Sequence, residues 1–529
     1  MQRTICRYAV RNSATAYAEG VRGMTSVTDR PGDAVFDPEL RRLAAVVVLG
    51  AMMTILDATI VNVAINTLGR DFHTSLSTIQ WVMTGYTLAL AMTIPLTGWA
   101  VQRFGGRTMW ITSIVLFIAG SVLCGAAWSV TSLIAFRVVQ AIGGGMLMPV
   151  GQTMLARKAG PERMGRVMSV VAVPAMLGPV LGPVLGGLIV DDLSWRWMFY
   201  VNVPVCALAL LAAFAWLPRD TERQADTPLD VFGLALLSPG VAALVYGLSQ
   251  TGNGHGLTDP QVYGWAGAGV ALIAVFAVRA LTRGDRALVD VRLFRDRGFT
   301  ASAVSLFVYV GALFGVTFMA PLYLQTVRSD SPLHAGLLLA PMGIGAAISM
   351  PFAGRLTDRV GSRALAVSGL VVVLAGLSAY TRLNADTSRL LLGAAMLLVG
   401  IGHGMMMPSL MAAAYLRLSR AAVPAATTAS NIVVRVGSSF GVAALAVALQ
   451  ISIRHQVPGA TGSLASVSRV RSPDLPSRLA HAFGAGFWWA FAIAAAAVVP
   501  ILLLPRCRPP AVSVVEGDGS VAEPVDDRA

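Results

Sequence analysis

One carboxylate, Asp57, lies deep inside a long apolar stretch that begins near Leu43. A charged aspartate at the centre of a membrane-spanning helix costs about 2.5–3.5 kcal/mol, so residues of this kind mark functional sites by default. Arg137 is a second charge in such a setting, within the apolar stretch that begins near Thr131. Asp57 and Arg137 are therefore the candidates for proton chemistry inside a membrane.

The positions of these two charges along their helices place them at a similar depth. At 1.5 Å per residue, Asp57 lies about 21 Å from Leu43, which leaves about 9 Å of a bilayer core of about 30 Å. Arg137 lies about 9 Å from Thr131, where its helix enters from the opposite side. A nearby arginine favours the charged carboxylate, and removal from water disfavours it. The spacing predicts a site that gains or loses a proton as its surroundings change; a static ion pair is the alternative.

The composition indicates that most of the chain faces lipid. Charged residues make up 13% of the 529 positions and hydrophobic residues 55%, whereas a soluble domain carries about 25% charged residues. The net charge of +13 is divided among many short loops, which is typical of positive-inside topology and not of a nucleic-acid-binding surface. Lys158 is the only lysine, a bias typical of GC-rich bacterial genomes. We expect a multi-pass protein of the bacterial inner (plasma) membrane that binds no nucleic acid.

Hydropathy predicts fourteen membrane spans, since a helix needs about 20 apolar residues to cross a bilayer. Arginines are concentrated in every second gap between spans, which predicts that these gaps and both termini are cytoplasmic. The long outer gap at 451–482 departs from this pattern. The predicted spans are 43–66, 78–101, 108–127, 131–154, 165–190, 197–217, 229–249, 262–282, 298–325, 334–354, 364–380, 389–413, 424–450 and 483–504.

An internal repeat indicates two similar halves. GWAVQRFGGR (98–107) and GRLTDRVGSR (354–363) each follow the second span of a half, if the spans at 229–249 and 262–282 are an inserted pair. Parallel halves of this kind are typical of secondary transporters, and we expect the inserted pair to be peripheral. The predicted organisation is a polar cytoplasmic tail at 1–42, a six-helix half at 43–217, a linker with the extra spans at 218–297, a second six-helix half at 298–504 and a disordered cytoplasmic tail at 505–529.

Seven motifs, in this order and spacing, resemble the fourteen-span drug:proton antiporters of the major facilitator superfamily over about 43–504. They are LDATIVNVAI, WVMTGYTLALA, RVVQAIGGG, GPVLGPVLGG, WRWMFYVNVP, LVDVRLFRDRGFT and PLYLQ. The resemblance implies an all-α major facilitator fold with two extra central helices, acting as a monomer. It also implies export of small amphipathic compounds in exchange for protons, with Asp57 coupling the proton and Arg137 as a relay.

The glycine- and proline-rich motif of the predicted fifth span favours a close, bent helix contact. Glycines four residues apart share one helix face, and proline removes a backbone donor and kinks the helix. In the family this motif marks exporters and limits proton leak; ordinary helix packing is the alternative. Its members are Gly178, Pro179, Gly182, Pro183, Gly186 and Gly187.

The two loop repeats are candidates for cytoplasmic gates, with simple turns rich in stop-transfer arginines as the alternative. The family motif has an acid before its first arginine. The second copy keeps Asp358, but the first has Gln102, which cannot form a charge-assisted lock, so we expect a looser first gate. The members are Gly98, Gln102, Arg103, Gly105, Arg107, Gly354, Asp358, Arg359, Gly361 and Arg363.

Six further residues are candidates for a substrate cavity: Asn62, Trp81, Tyr86, Gln140, His403 and Arg435. Trp81 and Tyr86 could instead belong to an aromatic belt. A lone histidine such as His403 is more often a packing residue than a proton carrier. Arg435 could contact substrate or hold its helix in place. With one membrane acid, we expect a monovalent lipophilic cation, a neutral or a zwitterionic substrate.

The sequence contains no nucleotide-binding, metal-binding or redox motif. We therefore expect a non-enzymatic transporter that uses no cofactor or metal and is driven by an ion gradient. Two other functions remain open. A metabolite importer or symporter would use the same two halves, although the fifth-span motif favours export. A membrane receptor or scaffold would keep the spans without needing the buried charges.

Overall fold

The computed structural model describes residues 37–159, 178, 181–182, 185–189, 192–220, 228–252, 259–284, 287–416, 418–419, 421–457 and 474–505. The chain divides into one unit at 1–41 and a second at 42–529, and the helix contacts below belong to the second unit. Within the described residues, all regular structure is helical. Most of the two tails predicted from the sequence lies outside this part of the chain.

The helices before residue 218 are named here the N-terminal helices. They include the long helices that carry Asp57 and Arg137. Those whose bounds lie within the described residues are α1 (Pro38–Val63), α2 (Ile65–Asp71), α3 (Leu76–Ile79), α4 (Trp81–Thr93), α5 (Thr97–Phe104), α6 (Gly106–Gly125), α7 (Val130–Ala159), α8 (Trp197–Tyr200) and α9 (Asn202–Trp216). The described residues at 178, 181–182 and 185–189 are also helical.

The helices after residue 228 form an inserted pair, α10 and α11, followed by the C-terminal helices α12 to α19. Their long members carry His403 and Arg435. They are α10 (Val231–Gly252), α11 (Pro260–Arg283), α12 (Arg297–Val327), α13 (Pro332–Leu337), α14 (Ala340–Val360), α15 (Ser362–Tyr380), α16 (Arg389–Tyr415), α17 (Val423–Gln456), α18 (Leu475–Ala496) and α19 (Val498–Leu502).

Local sequence signals explain several helix starts. The Asp259 side chain accepts a hydrogen bond from the backbone N–H of Gln261 at 2.9 Å, and Pro260 follows as the first helical residue of α11. The Asp296 side chain accepts from the N–H of Phe299 at 2.8 Å at the start of α12. Such caps satisfy donors that have no partner inside the helix.

Twelve segments of the described residues are long and apolar enough to cross a membrane. They coincide with twelve of the fourteen predicted spans. The predicted span at 78–101 is helical but interrupted: α4 ends at Thr93, and a 3₁₀ turn at Ile94–Leu96 precedes α5. Pro95 explains the interruption, because it has no N–H to donate. The span predicted at 165–190 lies largely outside the described residues, so the number fourteen stays a prediction.

The expectation of a peripheral inserted pair is wrong for α10. This helix packs against α4 of the N-terminal helices and against α17 of the C-terminal helices. The Ser238 hydroxyl donates to the carbonyl of Met92 at 2.6 Å, and the Gln450 amide donates to the carbonyl of Thr251 at 3.2 Å. Only 17% of the α11 span is buried, so α11 is the peripheral member. Hydropathy does not distinguish the two because a lipid-facing helix and a helix-facing helix are equally apolar.

Candidate functional site

The centre of the candidate site is an ion pair between α1 and α7. Nη1 of Arg137 donates to Oδ2 of Asp57 at 2.6 Å. The side chains are 1% and 0% exposed, respectively. The similar depth predicted for the two charges is confirmed by this distance. A charge removed from water in this way is stable only if it is paired and its remaining polar atoms are satisfied.

Three further polar residues form a hydrogen-bond network with the Asp57 carboxylate, two of them directly and Ser121 through the other two. Its Oδ1 accepts from Nε2 of Gln140 and from Nδ2 of Asn202, both at 2.9 Å. The same Gln140 amide group donates to Oγ of Ser121 at 2.6 Å, and Oε1 of Gln140 accepts from Arg137 at 2.8 Å. Asp57 thus accepts hydrogen bonds from α7 and α9, and Ser121 of α6 supports the donors. The carboxylate therefore accepts three side-chain hydrogen bonds, from Arg137, Gln140 and Asn202.

Two aromatic rings also pack near the Arg137 guanidinium. The Arg137 guanidinium lies 3.8 Å from the centre of the Tyr86 ring and 5.6 Å from that of Phe199. A cation over an aromatic face is attracted by the ring quadrupole, most strongly where water is excluded. Arg137 Nε, Asn202 Oδ1 and the Tyr86 hydroxyl have no hydrogen-bond partner among the described residues. These three buried polar atoms are therefore available for further hydrogen bonds within the network.

A close helix crossing allows this network to form. A side chain at Gly120 of α6 would collide with the backbone of Gln140 on α7, and one at Gly143 would meet the backbone of Phe117. Glycine at these positions lets the two helix backbones approach closely. Ser121 and Gln140 can then form a hydrogen bond across the crossing.

Gly178 and Gly182 of the fifth-span motif lie against α1, at residues that flank Asp57 in the sequence. A Cβ at Gly178 would collide with the side chain of Ile55, and a Cβ at Gly182 with that of Thr59. The Thr59 hydroxyl also donates to the carbonyl of Gly178 at 3.2 Å. This is the close helix contact predicted from the spacing. Gly186 is buried and Gly187 has open space next to it, whereas Pro179 and Pro183 lie outside the described residues.

The two loop repeats share one backbone conformation. Gly105 ends α5 at φ 90° and ψ 158°, and Gly361 ends α14 at φ 93° and ψ 150°. Positive φ in this region favours glycine because other residues are strained there. Gly354 lies in α14, and Arg363 in α15 is half-buried, but the side chains of Asp358 and Arg359 lie outside the described part.

A carboxylate that the sequence reasoning missed lies at the first repeat. Asp220 accepts from the N–H of Arg107 at 2.9 Å, and from the N–H and hydroxyl of Thr108 at 3.0 and 2.8 Å. These N–H groups open α6, where the helix dipole favours an anion. The first repeat therefore does contact an acidic residue, but this residue, Asp220, follows α9 in the sequence. Gln102 instead lines a separate cavity of about 400 Å³ with Gly98, and Arg103 is half-buried.

The N-terminal and C-terminal helices meet at the end of α17 that begins with Val423. A Cβ at Gly98 would lie 2.9 Å from the hydroxyl of Thr428 and 3.3 Å from the carbonyl of Pro424. One turn further into the helix, the Asn431 amide donates to Oε1 of Gln152 on α7 at 2.8 Å. The helices are closely packed at this end.

The remaining candidates are divided between several places. Trp81 is 44% exposed and stacks on Tyr246 of α10. His403 is buried within the C-terminal helices, where Nδ1 lies 2.9 Å from the Tyr309 hydroxyl. Arg435 lies within electrostatic range of Tyr86. The side chain of Asn62 lies outside the described part. Of the six candidates, the structure brings Tyr86 and Gln140 to the ion pair.

Comparison with known proteins identifies the family. The model of the Major Facilitator Superfamily matches residues 47–442, and the chain belongs to this superfamily of multi-pass membrane transporters, which are not enzymes. The resemblance drawn from the motifs is confirmed. A relative from Mycobacterium tuberculosis, "Multidrug resistance protein B homolog", is 36% identical over 505 residues, which is 92% of each chain.

Solved structures show the same fold at low identity. The human organic anion transporter MFSD10 has a TM-score of 0.61 at 16% identity, covering 89% of this chain and all of that one. The proton:xylose symporter XylE has a TM-score of 0.58 at 15% identity, covering 87% and 94%. The two neighbours differ in what they carry, so the likeness indicates the major facilitator fold and not a substrate.

Proposed function

We propose that this protein is a proton-coupled antiporter that exports small amphipathic compounds, drugs and antibiotics among them, across the bacterial plasma membrane. The observation that carries the proposal is the fully buried pair of Asp57 and Arg137 with its surrounding donors. The relative named for multidrug resistance supports the drug class. In this proposal the chain has fourteen spans, both termini are cytoplasmic and one monomer suffices.

The chemistry follows from what protonation does to this network. A protonated Asp57 no longer pairs with Arg137, and an unpaired buried charge is costly, by about 3–5 kcal/mol in other proteins. Arg137 must then find another acceptor or water, and either change alters the contact between α1 and α7. Proton binding is thereby coupled to helix movement.

The proposed cycle places the closed helix contacts on the cytoplasmic side. The loops that carry Gly105 and Gly361 are cytoplasmic by the distribution of arginines, and so is the contact of Gly98 with Pro424 and Thr428. The structure then corresponds to a state closed to the cytoplasm. Asp57 would take a proton from outside as substrate leaves and release it inside after the halves rock. The contact of Gly178 and Gly182 with α1 would limit proton leak.

The test is proton movement in everted membrane vesicles, followed with a pH-sensitive dye. Candidate drugs are added to wild type, Asp57→Asn and the charge-conserving Asp57→Glu. Drug-dependent proton release that is present in wild type, absent in Asp57→Asn and partly kept in Asp57→Glu supports the proposal. Retained release in Asp57→Asn would move the proton site elsewhere, and proton uptake with the substrate would favour the symporter alternative.

A receptor or scaffold makes a different prediction for the same variants. Such a protein needs its spans but no proton cycle, so Asp57→Asn would leave its phenotype unchanged. The experiment is growth of a drug-sensitive host at increasing drug concentration. Equal protection by wild type and Asp57→Asn, at equal amounts of protein in the membrane, would argue against antiport through Asp57.

A further inference from the structure

Three charged side chains lie deep within long helices in the described part of the chain. Asp57, Arg137 and Arg435 are each six or more residues from both ends of α1, α7 and α17, respectively. Asp57 and Arg137 neutralise each other at 2.6 Å. Arg435 thus remains as the uncompensated positive charge of this set.

The Arg435 guanidinium has neither a hydrogen bond nor an ion pair to any residue that the structure describes. Its backbone carbonyl accepts from the hydroxyls of Ser438 and Ser439, but these contacts leave the charge unpaired. The fifth span predicted at 165–190, most of which lies outside the described residues, contains no acidic residue that could form an ion pair with Arg435. An arginine inside a membrane is expensive and is expected to face a partner, water or a ligand pathway.

The position of Arg435 on α17 directs it toward the N-terminal helices. Thr428 and Asn431 contact Gly98 and Gln152 of those helices. Residues three and four apart share one face of a helix, so Arg435 lies on the same face as Asn431, one turn further along. Its half-buried side chain and its electrostatic interaction with Tyr86 fit this placement.

We infer that Arg435 is the specificity-determining contact of the substrate site and that it selects amphipathic organic anions, such as carboxylates. The inference rests on the proposed function and narrows its substrate class. A bound carboxylate would accept charge-assisted hydrogen bonds from the guanidinium, which are roughly twice as strong as neutral ones. A lipophilic cation would meet uncompensated positive charge. The selected class therefore differs from the cationic or neutral substrates expected from the sequence.

The electrical charge moved in each transport cycle distinguishes anion export from cation export, whatever the number of protons exchanged. Exchange of n protons inward for one monovalent anion outward moves n + 1 positive charges inward, whereas exchange for a monovalent cation moves n − 1. An inside-negative potential therefore assists anion export more strongly than cation export. This difference can be measured with a potassium diffusion potential in proteoliposomes.

The test uses three probes that share one ring system: anthracene carboxylate, anthracene carboxamide and anthracenylmethyl trimethylammonium. Probe-dependent proton movement is measured for wild type, Arg435→Gln and Arg435→Lys. Arg454→Gln, an exposed arginine at the end of the same helix, is the matched control. We expect the carboxylate to be preferred by about tenfold or more, and Arg435→Gln to lose that preference. Arg435→Lys should keep most of it, and Arg454→Gln all of it.

Binding to the purified protein keeps the test independent of turnover. Thermal unfolding is compared with and without anthracene carboxylate, and we expect ligand stabilisation in wild type and Arg435→Lys but not in Arg435→Gln. Transport of the carboxylate by Arg435→Gln at the wild-type rate, or equal transport of the ammonium probe, would overturn the inference and leave antiport standing. Failure of wild type to move protons with any compound, these probes and drugs alike, would overturn the proposed function and the inference with it.

Discussion

Asn202 donates a hydrogen bond to Asp57 at 2.9 Å across 145 residues of sequence. Both side chains are buried, and Asn202 is the first residue of α9. The bond adds a third helix to the ion pair of α1 and α7. Any change in the charge of Asp57 therefore acts on three helices at once, which is the connection that a proton-driven conformational change requires.

The buried pair predicts a non-additive effect of mutations on stability. Arg137→Gln leaves the Asp57 carboxylate buried without its cation, and we expect a loss of about 3–5 kcal/mol in the free energy of unfolding. Asp57→Asn combined with Arg137→Gln removes both charges and should recover most of this loss, without recovering proton coupling. Thermal unfolding of the single and double variants in detergent measures the coupling. Additive losses would contradict a direct pair.

The fifth-span motif predicts a difference between two of its glycines. Gly182→Ala places a methyl group against Thr59 of α1, whereas Gly187→Ala places one in open space. We expect the first variant to weaken the contact with α1 and lower drug-dependent proton movement, and the second to behave as wild type. Vesicle assays at matched protein levels compare them. Equal activity of the two variants would show that this helix contact has no role in transport.

The two loop glycines predict unequal costs for the same substitution. Gly105 and Gly361 both have positive φ with extended ψ, a region that is almost exclusive to glycine, so alanine at either position should cost about 1–3 kcal/mol of backbone strain. Gly105→Ala would also displace Asp220, whereas Gly361 has open space around it. Gly105→Ala should therefore lower the unfolding temperature more than Gly361→Ala does. The reverse order would argue that Asp220 does not hold the start of α6.

The hydrogen bonds and ion pairs of Asp230 predict that the inserted pair, α10 and α11, loses stability at acidic pH. Burial opposes its ionisation, but hydrogen bonds from Arg279 at 2.7 Å and the N–H of Gly233 at 3.1 Å, with Arg283 nearby, hold the pKa of Asp230 below its usual range. A lowered pKa in the folded state stabilises the protein above the unfolded pKa of about 3.9. This stability is lost as the pH falls through the lower folded value.

The measurement for Asp230 is the unfolding temperature between neutral pH and about pH 3, chosen to fall below the ordinary carboxyl pKa. Wild type should lose stability on acidification, and Asp230→Asn should start lower and lose less. Asp192→Asn, which changes an exposed carboxylate, serves as the control and should follow wild type. Parallel curves for wild type and Asp230→Asn would show that this ion pair makes no pH-dependent contribution.

The sequence predicts the parts of this fold that depend on hydropathy and helix rise. Twelve spans and the shared depth of Asp57 and Arg137 follow from apolar length and from 1.5 Å per residue. The break at Pro95 and the position of α10 do not, because they depend on which helix packs against which. The role of Asp57 in proton coupling stays a prediction, as do the roles of the gating loops.

Three residues of the site were not predicted from the sequence, and the physical reason is the same for each. Asn202, Ser121 and Asp220 are single polar residues at a helix start, in a helix and in a loop, and each contacts a residue distant in sequence. Their function depends on helix crossings that periodicity does not specify. Asn202 nevertheless carries a signal that could have found it, since an amide opening an apolar stretch needs a buried hydrogen-bond partner.

The most direct test of proton coupling at Asp57 compares two modes of transport in proteoliposomes. Substrate exchange at equal concentrations on both sides needs the conformational cycle but no net proton movement, whereas accumulation against a substrate gradient needs an imposed pH gradient. We predict that Asp57→Asn keeps exchange and loses proton-driven accumulation. Proton-driven accumulation by Asp57→Asn at the wild-type level would contradict the account.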